Sequence, residues 1–251
     1  MEQLITLPKV SVCVITYNQA KFIRQCLQSV VNQETDFDFE VIVGDDCSTD
    51  GTASIIQEFA EHYPKLIRPI YQIKNSGGGW GNYRSVHLAA KGEYVAHIDG
   101  DDAMLPGKLQ YQVNSMDDNR NCPASFHLME TMDKNSIRSG KFWLRDNYST
   151  KLSVEDVLLE HPNICHSSLM YRNSIFHEFI SNRKADSLDL HVFIALAGNG
   201  PLLPINKKLG LYRLGVGTAA RDIVLDLAFD AIHSAKEFGV SDRIILATGL
   251  R

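Results

Sequence analysis

A mostly parallel central sheet with helices on both faces, an α/β fold in a chain of 251 residues, is what this sequence predicts. Two observations lead there. Short β-branched or apolar runs alternate with helical patterns through the first half, as crossover connections between parallel strands require. Several of those runs end abruptly in polar or acidic clusters, as strand ends do at a ligand-binding edge.

Residues 10–15 form a first strand, and residues 19–32 then place Phe22, Ile23, Cys26, Leu27, Val30 and Val31 on one helical face. Residues 39–43 give a second strand ending at Gly44. Ser48, Thr49 and Asp50 offer N-caps for a helix that carries Ile55, Ile56 and Phe59. Residues 66–73 read as a third strand. The loop NSGGGWGN leads into a helix over residues 83–90, and residues 93–98 form a fourth strand. Pro106 suits the first position of a helix carrying Leu109, Val113 and Met116.

The second half is less regular. SVEDVLLEH reads as a capped helix, CHSSLMY as a strand, DLHVFIALAGNG as a helix ended by glycine, and KKLGLYRL as a short strand. Residues 222–238 put Val224, Leu227, Ala228, Ala231, Ile232 and Ala235 on one stripe. That is a final amphipathic helix, and a polar face poor in Lys and Arg favours packing on the domain over membrane contact.

Composition narrows the function. The chain is 44% hydrophobic and 22% charged, enough apolar material for a real core, and its formal charge of −5 predicts no nucleic-acid partner. No apolar run approaches the length of a membrane span. The five cysteines are scattered, odd in number and without a CxxC pair, which suits reduced thiols in a cytoplasmic protein.

Three strand ends carry distinctive polar groups: Thr16-Tyr17-Asn18 after the first strand, Asp45-Asp46 after the second, and Asp99-Gly100-Asp101-Asp102 after the fourth. Each alone could be a turn or a helix cap. Together they converge on one edge of the sheet. The acidic cluster repels itself unless something positive neutralises it. Its spacing lacks the longer ligand ladder of an EF-hand loop. A Mg²⁺ or Mn²⁺ ion, held by one or two carboxylates and completed by the phosphate oxygens of a ligand, fits best.

The stretches VSVCVITYNQAKFIRQCLQSVVNQ, FDFEVIVGDDCSTDGT and GEYVAHIDGDDAMLPGKLQYQ, in this order, resemble the family 2 glycosyltransferases, whose fold is called GT-A. The match is dense over residues 8–113 and looser over residues 155–217. The resemblance implies a metal-dependent inverting transferase that moves a sugar from a UDP- or dTDP-linked donor. The acceptor would be a saccharide, free or lipid-linked, in surface-polysaccharide assembly such as O-antigen or capsule. Such an enzyme would work in the cytoplasm, with the inner face of the plasma membrane or a multi-enzyme assembly as its surroundings. It also implies a GT-A domain over residues 1–218 and a helical extension over residues 219–251. Within that domain, residues 8–113 would form the nucleotide-sugar half and residues 114–218 the acceptor half.

Carried over, Thr16, Tyr17 and Asn18 border the base, Asp46 hydrogen-bonds it, and Asp45 supports that loop. Asp101 contacts the ribose or the metal and Asp102 ligates the metal, while Asp99 shapes the turn on the donor side. Arg84 reaches the donor. The segment SLDLHVFIALAGNGPLLPINKKLGLYR puts Asp189 in the place of the catalytic base, with Leu188 before it where the family has Gly or Glu. Asp186 is the runner-up, and a bare helix cap is the bland alternative for Asp189. His166 falls where relatives often carry His. The family's His after YR is missing here, which leaves Arg213 or Arg221 to meet the diphosphate. Trp80 is either a sugar platform or a packing lid. Two rivals stand beside this reading. A nucleotidyltransferase needs a basic glycine-rich loop after the first strand, which residues 16–24 lack; the other is a non-catalytic sugar-nucleotide-binding module.

Overall fold

A computed structural model describes residues 7–143, 147–160, 164–182, 189–216, 235–241 and 244. Strands β1 (Val10–Thr16), β2 (Phe39–Asp45), β3 (Ile67–Tyr71) and β4 (Tyr94–Asp99) lie parallel in the order β3-β2-β1-β4. Helices α1 (Ile23–Val31), α2 (Thr52–His62) and α3 (Trp80–Leu88) make the crossovers. The sheet continues through β8 (Met170–Arg172), antiparallel to β4, then β6 (Ala124–Met132), β9 (Leu203–Arg213) and the two-residue β5 (Ala103–Met104); β7 (Arg138–Phe142) pairs with β6. β6 and β9 run parallel to each other, so the expected mostly parallel sheet is present with antiparallel insertions.

Period-2 alternation builds two cores. Val10, Val12 and Val14 face α1, α2 and α4 (Lys108–Asp118), where Leu27, Ile56 and Leu109 are fully buried. Cys13, Ile42 and Val95 face the other way, toward α3, α5 (Val154–Glu160), α6 (Asn173–Asn182) and α7 (Asp189–Ala197). Two helix starts differ from the sequence reading. Gly51 and Gly107, both at positive φ, precede α2 and α4, in place of the expected cap at Ser48, Thr49 or Asp50 and the Pro106 start. Asp50 instead accepts from the Thr52 and Ala20 amides, tying α2 to the turn after β1. α3 begins three residues earlier than expected, at Trp80.

CHSSLMY is not one strand: a 3-10 turn at His166–Ser168 precedes the short β8. β6, β7 and α6 were absent from the sequence reading, and β9 is longer than its predicted stub. Most of the helix expected over residues 222–238, and the boundary at residue 218, lie outside the described residues, as do Asp186 and Arg221. No helix among the described residues is long and apolar enough to cross a membrane.

Register aligns the strand ends. Thr16 pairs with Asp45 and Ile15 with Asp99, so the three polar clusters lie along one edge. Gly44 lets α3 close onto that edge: a Cβ there would lie 2.3 Å from Val86 Cγ2 and 2.4 Å from Asn82 Oδ1. Gly44→Ala is therefore expected to destabilise the fold by about 1–3 kcal/mol, read as a lower urea midpoint; an unchanged midpoint would refute this packing account.

Candidate active site

The turn after β1 and the turn after β4 are packed into one another. Thr16 Oγ1 donates to Gln19 Oε1 at 2.7 Å, and a Cβ on Gly100 would come 2.6 Å from that same oxygen and 2.8 Å from Thr16 Cβ. Only glycine fits between the two turns. Asn18, at φ 51°, accepts from the Thr49 amide through Oδ1, and its own amide donates to Ser48 Oγ. Asp45 accepts from the amide and hydroxyl of Ser48. Tyr17 and Asn18 are exposed, whereas Thr16 is buried.

Asp46 holds the glycine-rich loop. Its carboxylate accepts from the Ser76 amide at 3.0 Å, the Ser76 hydroxyl at 2.8 Å and Asn75 Nδ2 at 3.2 Å. Both oxygens face the loop, so a base seated on Asp46 would share it with Ser76. Arg84 points elsewhere than expected: Nε and Nη2 donate to the Ile180 and Ser181 carbonyls at the end of α6. That corrects its assignment to the donor, because an arginine close to unpaired helix-terminal carbonyls satisfies them.

The three aspartates of the acidic turn differ in environment. Asp99, expected to shape the turn, is the one that opens outward, its side chain 35% exposed on the cleft. Burial works to raise its carboxyl, but the hydrogen bond from His97 and the pull of His97 and His166 hold it below the usual range. Asp101 is nearly enclosed; burial and the charge of Asp99 push it up to about 6. Asp102 is buried. Its Oδ1 accepts from the Arg213 amide at 2.8 Å, whereas Oδ2 has no hydrogen-bond partner, and burial with the charges of Asp101 and Asp99 pushes this carboxyl well up. An oxygen so placed calls for a proton or a cation.

Arg213 does not meet the cleft. Its Nε donates to the Asp101 carbonyl at 2.8 Å, Nη1 to the Asp133 carbonyl and Nη2 to Gln25 Oε1, with the guanidinium 4.5 Å from the Phe22 ring centroid. It braces the acidic turn rather than a diphosphate.

Asp189 opens α7, its side chain 59% exposed, and Oδ1 lies 2.8 Å from His166 Nδ1. A cleft of about 100 Å³ brings Asp99, His166 and Asp189 together with Gly78, Gly79 and Trp80. Larger concavities of about 530 and 640 Å³ lie beside α2 and at the opposite end of the sheet, away from these groups. Trp80 is 7% exposed and stacks on Tyr83 at 5.3 Å, which makes it chiefly a packed wall.

Beneath the cleft lies a histidine chain that the sequence reading missed. His97 Nε2 is 3.2 Å from Asp99 Oδ1, His97 Nδ1 is 3.1 Å from His87 Nε2, and His87 Nδ1 meets the Tyr171 hydroxyl. A carboxylate with its proton gone only accepts, so His97 carries its hydrogen on Nε2, and that fixes each tautomer in turn. Burial lowers His97 to about 4 and His87 well below its ordinary value, so both rings are neutral at pH 7. The signal was available: β4 is covered on both faces, so a histidine within it had to be buried.

The comparisons with known proteins bear on this edge. Residues 11–180, more than half of the chain, match the family described as Glycosyl transferase family 2. The chain belongs to glycosyltransferase family 2. An uncharacterised protein of Mycobacterium tuberculosis is 36% identical over 209 residues, covering 81% of this chain and 58% of the relative. This chain thus spans little more than half the length of that relative. Chondroitin synthase of Escherichia coli is 30% identical over 202 residues, 80% of this chain and 28% of the synthase. Among solved structures, S. aureus TarS 1-349 in complex with UDP-GlcNAc superposes with TM-score 0.74 at 22% identity, over 96% of this chain and 71% of that one. Mannosyltransferase PcManGT from Pyrobaculum calidifontis, in complex with GDP-Man and Mn2+, gives 0.67 at 19% identity, over 98% and 70%. These likenesses establish the GT-A fold.

Lys108, also missed, is buried below the acidic turn and donates to the Ser167 carbonyl at 2.7 Å. Its pattern was legible, because Lys108, Gln112 and Met116 recur at i, i+4, i+8 on the buried face of α4. Burial lowers its pKa from 10.5 to about 8. The folded state then binds this proton less tightly than the unfolded chain. The penalty is complete below about pH 8 and is relieved as pH rises toward 10.5. Relative to Lys108→Met, the wild type should therefore gain stability between pH 8 and pH 10.5, by up to about 3 kcal/mol. Urea midpoints measured in parallel would show the gap changing; a constant gap would contradict a charged buried lysine.

Proposed function

We propose that this chain is a metal-dependent inverting glycosyltransferase domain that moves a sugar from a UDP- or dTDP-linked donor to a saccharide acceptor. One observation carries this reading: Asp99 of the acidic turn and Asp189 at the head of α7 line the same cleft. A donor-side carboxylate and an exposed carboxylate then flank the place where an anomeric carbon and an acceptor hydroxyl would meet. The relatives lend support, since one is named a chondroitin synthase and the two solved structures were determined with UDP-GlcNAc and with GDP-Man. The first of these supports a saccharide acceptor, and the other two are in keeping with a nucleotide-diphosphate sugar as donor.

The turns after β1 and β2 would receive the nucleotide, with Thr16, Tyr17 and Asn18 on one side and Asp45 and Asp46 on the other. Asp101 and Asp102 would hold Mn²⁺ or Mg²⁺. The fit rests on the partnerless, buried Asp102 Oδ2 and on the raised Asp101 carboxyl. Among the described residues no group of three or more His, Cys, Asp or Glu side chains could hold a metal by itself. Diphosphate oxygens would therefore complete the shell. Bound there, the ion supplies charge stabilisation to the departing diphosphate.

Asp189 is the general base. It removes the acceptor hydroxyl proton as that oxygen attacks the anomeric carbon opposite the leaving diphosphate, which inverts the configuration. Exposure suits the role, since the group must reach an incoming substrate. A helix N-terminus favours its ionised form, the form a base requires at neutral pH.

The test is turnover with a panel of UDP- and dTDP-sugars in Mn²⁺, scored as donor hydrolysis and as transfer to oligosaccharides. Asp189→Asn should lower turnover by about 10³-fold or more while UDP affinity stays within about threefold; near-normal turnover would remove Asp189 from the base role. Chelating the metal with EDTA should weaken UDP binding in the wild type by about tenfold or more, and Asp101→Asn should bind UDP weakly with or without Mn²⁺. Metal-independent binding by the wild type would refute the cation assignment. Binding of donors without any hydrolysis or transfer would favour a non-catalytic module.

A further inference from the structure

His166 is buried at the start of the 3-10 turn before β8, and both ring nitrogens are committed. Nδ1 lies 2.8 Å from Asp189 Oδ1. An ionised carboxylate has no hydrogen to give, so Nδ1 is the donor. Nε2 lies 3.3 Å from the Tyr83 hydroxyl, which donates to it when the ring is neutral. The ring stacks on His97 with centroids 4.1 Å apart, and Phe193 meets it edge-on at 5.7 Å. Rotation of this imidazole would break both hydrogen bonds and the stack at once.

Asp189 is the opposite kind of group: exposed, at the first residue of a helix. Staggered rotamers of an aspartate differ in where they aim the carboxylate, and a base needs one that faces its substrate. We propose that His166 is the positioning residue of Asp189, donating from Nδ1 to Oδ1 so that the carboxylate keeps one rotamer facing the cleft. The stack on His97, itself bonded to Asp99, makes that rotamer continuous with the donor side. This inference rests on the reading of Asp189 as the base. The titratable groups facing His166 are Tyr83 and His87 from α3, His97 and Asp99 from β4, Asp189 from α7 and the adjacent Cys165. Burial works to lower its pKa, yet the charge and hydrogen bond of Asp189 outweigh it and hold the ring above its ordinary value. That direction agrees with an N–H aimed at a carboxylate.

The arrangement predicts an effect beyond geometry. A carboxylate that loses a hydrogen-bond donor binds a proton more readily. His166→Leu keeps bulk without a donor, whereas His166→Asn places an amide N–H near the position of Nδ1. With the fastest nucleotide sugar of the panel above, His166→Leu should lose about 100-fold in kcat, with donor KM within about threefold. The acid limb of its pH–rate profile should move up by about one pH unit. His166→Asn should recover most of the lost kcat and return the limb toward its original place. Imidazole ¹⁵N NMR of the wild type should show the Nδ1–H tautomer for His166, and Asp189→Asn should lower the ring's pKa.

Wild-type kcat and an unmoved limb in His166→Leu would overturn the proposal, as would an Asn variant no better than Leu. So would an Nε2–H tautomer, a reading that needs no turnover. Full turnover by Asp189→Asn would instead reject the base itself, and the positioning role with it. Inactive Asp189→Asn beside a fully active His166→Leu would reject only the positioning role.

Discussion

Three aspartates within four positions at the end of β4, two of them withdrawn from water, are the constraint on which the rest of this edge depends. Arg213 reaches the turn from the end of β9. Its amide binds Asp102, its Nε binds the Asp101 carbonyl, and its remaining donors reach Gln25 on α1 and Asp133 and Ser136 beyond β6. One side chain thus joins the first helix, the donor-side turn and the last strand of the sheet. Lys108 adds a second buried cation from below. Neither cation touches Asp102 Oδ2, and a fully neutralised turn would have no use for a further positive charge. Burial first, and the charges of the neighbouring aspartates second, raise the carboxyls of Asp101 and Asp102, and the two cations do not offset it.

The histidines answer a different need. The cleft holds Asp99 and Asp189 in one geometry, although they arrive from elements some ninety residues apart in sequence. Here His97 follows Asp99 and His166 follows Asp189, and the two rings stack. Desolvated imidazoles suit this because they bond in fixed directions, and His97, held neutral by burial, does so without the cost of a buried ion. Tyr83 and Tyr171 close the ends of the network, and their hydroxyls stay protonated because burial raises both. The cleft carboxylates therefore sit on a turn and a helix end, but their placement is set by the core beneath them.

The legible and illegible parts of the chain divide for physical reasons. β1, β2 and β4 were read almost residue for residue, since strands buried on both faces are continuous apolar runs. β6 was not, although it is wholly buried, because His127, Glu130 and Thr131 interrupt its apolar signal; Glu130 and Thr131 find their partners only in β7 and β9, and His127 bonds the Leu128 carbonyl beside it. α6 carries Phe176 and Ile180 one turn apart, a stripe too short to stand out before a strand supplies its surface. Arg84 was assigned to the donor from its place in a motif, yet the end of α6 lies closer and claims it. Asp99 and Asp102 exchanged expected surroundings: the direction each carboxylate takes depends on the turn between them.

By itself the sequence determined the α/β class, the positions of its first four strands along the chain and the three polar strand ends, because local periodicity and turn chemistry are written within a few residues. Asp189 was singled out only through the family resemblance of its segment, since a helix cap would read the same way locally. Tertiary structure decided which aspartate meets the cleft, which arginine braces the turn, and that His166 stands against Asp189. Those outcomes depend on distances between segments far apart in the chain. A side chain's partner is fixed by packing, and packing is a property of the assembled sheet rather than of any stretch within it.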